Sequence, residues 1–227
     1  VTNHKTDIII ISDIHLGSHI CQDEKLLKFL QSIEFRTNHL IINGDLFDNW
    51  NFSRLNNNHW QILKTIRKAS EKIKTTWISG NHDGPAEIIS HLLNVDFIEE
   101  YRFVNGYKRY IVLHGDIFDS YITKYPRLAK IADWCYRLIQ KLDSSLYWAR
   151  KLKRSSKTFL RAVETVQYSA IDYCKKHKSD VICLGHTHSA AAIDSGAVAY
   201  YNSGSWTDTV CTYISITNGY TELKTYE

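Results

Sequence analysis

Five short runs of β-branched and apolar residues, at 7–12, 39–42, 75–78, 109–113 and 180–184, constrain this chain more than any other feature. Continuous runs of this length read as strands buried on both faces. Between the first two, Leu26, Leu27, Phe29, Leu30 and Ile33 keep helical spacing, and Trp60, Leu63, Ile66 and Arg67 do so between the next two. Strand alternating with helix predicts an α/β protein with covered sheets. Only two prolines and ten glycines occur in 227 residues, which leaves no flexible linker, so we expect one domain over residues 1–227. Residues 197–202, 211–217 and 221–226 change to an alternating pattern with an Asn218-Gly219 turn, which suggests a final antiparallel portion.

Composition removes several classes. With 44% hydrophobic and 23% charged residues, the chain is neither disordered nor fibrous. The four-residue run Ile8–Ile11 is far too short to span a bilayer. The opening residues Val1, Thr2, Asn3, His4 and Lys5 are polar and lead straight into that run, so we expect no signal peptide and a cytoplasmic protein. Cys21, Cys135, Cys174, Cys183 and Cys211 are odd in number and widely spaced, as reduced structural cysteines would be. Charge is uneven: residues 120–180 hold 14 Lys and Arg against 5 acidic residues, while the rest of the chain holds 14 against 19. A local +9 within a net +4 reads either as a solvated helical face or as a surface for an anionic substrate. In that segment Leu128, Ile131, Ala132, Cys135, Leu138, Ile139 and Leu142 form a helical stripe, and a second long helix is expected from about Ser156 to His177.

The residues just after each core run carry the chemistry. The runs end in Asp13-Ile14-His15, Gly44-Asp45-Leu46-Phe47-Asp48, Gly80-Asn81-His82-Asp83, His114-Gly115-Asp116 and Gly185-His186-Thr187-His188. Singly, each is weak: Asp-x-His is often a capped turn, and Gly-Asn-His-Asp a plain one. Together, in order, they set oxygen and imidazole donors at the carboxyl edge of the sheet, where open α/β sheets bind ligands. The glycines at 44, 80, 115 and 185 are read as turn formers that aim their neighbours at one point.

These five motifs together resemble those of the calcineurin-like metallophosphoesterase superfamily, across residues 13–188. Asn202-Ser203-Gly204-Ser205 resembles the Asn-Pro-Gly-Ser turn of many members. The resemblance implies a four-layer αββα sandwich with two metal ions at the strand ends. It assigns Asp13, His15, Asp45 and His188 to one ion and Asp45, Asn81, His114 and His186 to the other, with Asp45 bridging. Water activated between paired ions would attack phosphorus in line. His82 is expected to bind the phosphate and protonate the leaving oxygen, with Asp83 orienting its ring. Asp48 and Asp116 read either as partners that fix histidine tautomers or as ordinary turn residues. Donors without thiolate suit Mn²⁺, Fe²⁺ or Zn²⁺, and the resemblance favours Mn²⁺.

A helical lid insertion of about 118–177, entered through Gly115-Asp116-Ile117-Phe118-Asp119, is similar to that of the UDP-2,3-diacylglucosamine diphosphatases of lipid A synthesis. That similarity implies a lipid-linked nucleotide diphosphate as substrate. Arg150, Lys151, Lys153, Arg154, Lys157 and Arg161 could meet its phosphates. Tyr121, Tyr125, Trp134, Leu146 and Trp148 could line a slot for acyl chains, and Asn81 and Asp119 are further candidate substrate contacts. A basic lid would also meet an anionic membrane surface, giving peripheral association with the inner face of the cytoplasmic membrane. One departure stands out: this chain has His82 where the best-known members of that family carry arginine. A phosphodiesterase or nuclease of the same superfamily is the second reading, since the basic segment would serve nucleic acid as well. A non-catalytic scaffold is the third, disfavoured because every ligand position is filled.

Overall fold

Two sheets face each other in the computed structural model, which describes residues 6–33, 36–119 and 157–227. Strands β1 (Thr6–Ile11), β2 (Thr37–Asn43), β3 (Lys74–Ile78), β4 (Asp96–Ile98), β10 (Cys211–Thr217) and β11 (Tyr220–Tyr226) make the first, in the order β11-β10-β1-β2-β3-β4. Strands β5 (Glu100–Asn105), β6 (Lys108–Leu113), β7 (Val181–Leu184), β8 (Ala191–Asp194) and β9 (Ala199–Asn202) make the second, in the order β5-β6-β7-β9-β8. β1, β2, β3 and β4 run parallel, as do β6, β7 and β9, with antiparallel strands at the margins.

The isoleucine run shows why the layers form. Successive strand residues point to opposite faces. Ile8 and Ile10 accordingly meet Tyr110, Val112, Val181 and Cys183 of the second sheet, while Ile9 and Ile11 meet the helices outside. Helices α1 (Asp23–Ile33), α2 (Asn57–Ala69) and α3 (Glu87–Leu93) cover that outer face. α2 begins with a reciprocal capping box between Asn56 and His59. On the far side, α4 (Lys157–Lys176) buries Val166, Ala170, Ile171 and Cys174 against Ile111, Leu113, Ile182 and Leu184. The four layers expected from the resemblance are therefore present.

Two expectations change. The C-terminal strands do not form one antiparallel portion: β9 joins the second sheet parallel to β7, while β10 and β11 extend the first. α4, expected as part of the lid, is the fourth layer of the sandwich over its buried face. The expected stripe at 128–142 lies outside the described residues, as do Tyr121, Tyr125 and Lys153. Lys157 and Arg161 lie on exposed positions of the first turns of α4.

Candidate metal centre

Asp13 and His15 follow β1, Asp45 and Asp48 follow β2, and Gly80 to Asp83 follow β3. His114 follows β6, and His186 and His188 follow β7. The motifs thus come from two sheets and meet across the seam between them, not along one sheet edge. The loops after β1 and β2 stay zipped beyond the strands: Ile14 and His15 donate to the Asp45 carbonyl at 3.0 and 2.9 Å, and Leu16 donates to Leu46 at 2.9 Å. Asp13, His15, Asp45, His186 and His188 all adopt left-handed backbone, with φ of 53°, 52°, 53°, 63° and 55°. Such strain gathered at one place is characteristic of functional sites.

The side chains converge. His188 Nε2 lies 3.2 Å from Asp13 Oδ1 and 3.2 Å from His15 Nε2. Asp45 Oδ2 lies 3.6 Å from His15 Nε2 and 3.4 Å from His114 Nε2. Donor atoms fall within 4.8 Å of one another in three overlapping sets: Asp13, His15 and His188; His15, Asp45 and His82; Asp13, Asp45 and His114. His82 therefore enters the same constellation, although its Nδ1 is tied to the Asp48 carbonyl at 2.9 Å. Two expected ligands stand apart. Asn81 is exposed, and His186 Nε2 is 3.1 Å from Asp119 Oδ2, with its ring 5.3 Å from that of His114. Asp119, expected to contact substrate, bonds to this histidine.

Asp83 needs correction. It does not orient the His82 ring, which Asp48 holds. Its Oδ2 accepts from the backbone N–H of Asp45 and Gly80 and from Trp77 Nε1, and its Oδ1 from Leu46. It is a buried acceptor that fastens the loop after β2 to the turn after β3. The glycine reading also changes in part. A Cβ at Gly80 would stand 2.3 Å from Asp45 Oδ1, and one at Gly185 2.6 Å from Asp13 Oδ2. These two positions need glycine for close approach, Gly44 needs it both for that (a Cβ would stand 2.2 Å from His114 Nδ1) and for its φ of +80°, and Gly115 has a φ of +111°.

Further side chains support the candidate ligands, and the sequence reading had named only some of them. Ser12 Oγ donates to Asp13 Oδ2 at 2.5 Å and meets Ser203 Oγ at 2.6 Å. Asn202 Nδ2 donates to the Gly185 carbonyl at 2.6 Å, so the Asn202-Ser203-Gly204-Ser205 turn braces the loop bearing His186 and His188. Asn43 O accepts from His114 Nδ1 at 2.9 Å. Arg54 Nη1 donates to Asp48 Oδ2 at 2.7 Å, and Asp48 Oδ1 lies 4.0 Å from His15 Nδ1. That separation is beyond hydrogen-bond reach, so the histidine that Asp48 visibly orients is His82, through its backbone carbonyl. The motif spacing signalled the turn and Asp48; nothing in the sequence singled out Ser12 or Arg54.

The electrostatics favour a cation. Burial would raise Asp13, but the neighbouring His188 outweighs it and holds the carboxyl at about 2. Against burial, His114 holds Asp45 well below the usual carboxylate range, and Asp45 in turn draws His114 up to about 10. Burial pushes His15 down to about 4, against the pull of Asp45. Burial and the Asp45 charge push Asp83 up to about 7, although every hydrogen-bond partner named above is an N–H donor that favours its ionised form.

Whether divalent ions fit can be tested on single atoms. Asp13 Oδ1 and His114 Nε2 are buried and make no well-formed hydrogen bond, each facing only another candidate ligand, His188 Nε2 at 3.2 Å and Asp45 Oδ2 at 3.4 Å. Buried polar atoms left this way are costly, and a bound ion satisfies them. His114 Nδ1 faces the Asn43 carbonyl, so Nε2 is the atom left to coordinate. The carboxylate field that draws a proton to His114 equally draws a metal. With carboxylate and imidazole donors and no thiolate, the site fits divalent ions.

Fold and site together define a two-sheet α/β sandwich with a candidate divalent-metal centre. Comparison with known proteins narrows the class. The calcineurin-like phosphoesterase profile matches residues 6–190, and the chain belongs to that family, as a metal-dependent phosphoesterase. The UDP-2,3-diacylglucosamine hydrolase of Photorhabdus laumondii is 27% identical over 201 residues, covering 79% of this chain and 81% of that protein. The UDP-2,3-diacylglucosamine hydrolase of Hamiltonella defensa is 29% identical over 199 residues, covering 81% and 77%. The phosphoesterase YfcE of E. coli shares the fold with a TM-score of 0.51 at 17% identity, covering 93% of this chain and 88% of that chain. An archaeal phosphodiesterase does so with a TM-score of 0.51 at 13% identity, covering 96% and 98%.

Proposed function

We propose that this protein is a dinuclear diphosphatase that cleaves UDP-2,3-diacylglucosamine or a similar lipid-linked nucleotide diphosphate. The observation that carries the substrate is the likeness to UDP-2,3-diacylglucosamine hydrolases over about four-fifths of the chain, beside a family match over residues 6–190 that includes every site motif. Asp13, His15, Asp45 and His188 would hold one ion, and Asp45, Asn81, His114 and His186 the other. Mn²⁺ is the ion we propose. When bound, divalent ions lower the pKa of water and neutralise charge on the phosphoryl oxygens.

The chain's own residues do the rest. Asp45 lies between His15 and His114, so one carboxylate serves both halves of the site. His82, with Nδ1–H given to the Asp48 carbonyl, keeps Nε2 for the phosphate and the leaving oxygen. Its backbone N–H donates to Asp45 Oδ1 at 3.0 Å, which couples its position to the centre. Tyr121, Tyr125 and Lys153 of the lid, with Lys157 and Arg161 at the start of α4, are proposed to take the acyl chains and phosphates. No helix among the described residues is long and apolar enough to cross a membrane, and we propose peripheral attachment to the inner face of the cytoplasmic membrane through the basic segment.

Phosphorus NMR of the Mn²⁺-loaded protein tests the substrate, with UDP-2,3-diacylglucosamine in detergent beside UDP-N-acetylglucosamine. UMP released from the acylated compound alone is the expected result. Cleavage of neither, with metal bound, overturns the substrate and leaves the family assignment standing.

A further inference from the structure

We infer that Asp119 is a positioning residue of the metal centre: its carboxylate fixes the tautomer of His186 so that Nδ1 is the nitrogen offered to the ion. The inference rests on the metal-centre reading and on His186 as a ligand, not on the identity of the substrate.

A carboxylate oxygen can only accept, so the 3.1 Å contact between Asp119 Oδ2 and His186 Nε2 requires the proton on Nε2. Nδ1 is then unprotonated and carries the free lone pair. Both side chains are largely withdrawn from water, at 15% and 8% exposure, so solvent does not compete for the contact. The backbone is fixed as well: the N–H of His186 donates to Asp13 Oδ2 at 3.0 Å, and its φ is 63°.

Two neighbouring histidines share the same plan. His114 gives Nδ1–H to the Asn43 carbonyl and His82 gives Nδ1–H to the Asp48 carbonyl. In each, an outer acceptor holds one nitrogen and frees the other. His186 differs in the nitrogen held and in the charge of the acceptor. Asp119 also stands where the chain leaves the second sheet for residues 120–156, directly after the short turn Asp116–Phe118. Phe118 packs edge-on against Tyr173 of α4, with ring centres 5.5 Å apart. The entrance to the insertion is thus fastened to the sandwich on one side and to the centre on the other.

The test uses the full chain with Mn²⁺ and Zn²⁺ as probes. Two-bond proton–nitrogen spectra of histidine-labelled, metal-free protein report the His186 tautomer, the signal being assigned with His186→Gln. The Nε2–H form is expected in the wild type, and Asp119→Ala should relax it toward a mixture. Titration with Mn²⁺ should show Asp119→Ala binding its weaker ion about 10- to 100-fold less tightly. Asp119→Asn, which keeps an acceptor but loses the charge, should fall between. An Nδ1–H tautomer in the wild type overturns the inference, as does unchanged affinity in Asp119→Ala beside weakened binding in His186→Gln. If His186→Gln also binds normally, the ligand assignment of His186 fails with it. Substrate turnover enters none of these readouts.

Discussion

His82 and Gly80 sit two residues apart and make opposite demands on their turn. His82 is close enough to His15 and Asp45 to be a ligand, yet its ring is tied to Asp48. If it acts on the phosphate, His82→Ala should lower turnover about 100- to 10,000-fold while bound metal, measured by plasma emission, stays at the wild-type level. Loss of metal in that variant would make His82 a ligand. Gly80 makes way for its neighbours: a Cβ there would lie 2.3 Å from Asp45 Oδ1 and 2.5 Å from Asp45 N. The second contact is with backbone, which has no rotamer to retreat to. Gly80→Ala should therefore cost roughly 1–3 kcal/mol in urea unfolding and weaken metal binding; wild-type values for both would refute the crowding argument. At this scale the sequence revealed which residues bear the chemistry, because donor types at strand ends are visible in it. It did not reveal the job of Asp83, since backbone N–H groups are present at nearly every position and only the fold selects which ones meet a carboxylate.

Strand β2 shows how an element can set the pH response away from the site. His39 is buried near its start, bonded through Nε2 to Thr76 Oγ1 at 2.9 Å and edge-on to Tyr101 at 5.3 Å. Burial, aided by the Lys74 charge, lowers its pKa to about 4. The unfolded chain then binds the proton first, starting near pH 6.5, so stability is full above that pH and falls as pH drops toward 4. Between pH 7 and 4.5 the loss through this group is about 2–3 kcal/mol. Urea melts of wild type and His39→Gln at both pH values should differ by that amount, with the variant the less sensitive; equal sensitivity would refute it. Strands such as β2 were legible because unbroken β-branched runs have few alternatives. β5, with the sequence EYRFVN, was missed because its polar edge residues do not form such a run. β4 has only three residues, and β8 is built largely of alanine. Which sheet each late strand joins was not legible either, because that depends on pairing partners far away in sequence.

The whole molecule carries its centre across a seam, with Asp13, His15, Asp45 and His82 from one sheet and His114 and His188 from the other. Ions bound there would join the two halves and should stabilise the folded state by mass action. At Mn²⁺ a hundredfold above its dissociation constant, the gain is about 2.7 kcal/mol. For a chain of this size that raises the melting temperature by roughly 5–10 °C. Calorimetry with Mn²⁺ and then with chelator should show the shift and its reversal, and His114→Ala should abolish most of it. An unchanged melting temperature in the presence of bound metal would mean that the sheets are already locked without it. The left-handed backbone at Asp13, His15, Asp45, His186 and His188 bears on a different question, the paths by which such a protein can change. Asp, Asn and His tolerate that conformation far better than β-branched residues do. Exchanges among those three types alter the donor set while leaving the backbone at ease, whereas a valine or isoleucine would disturb both. The site's geometry therefore leaves metal preference open to stepwise drift and closes most routes by which the centre could be replaced with ordinary core.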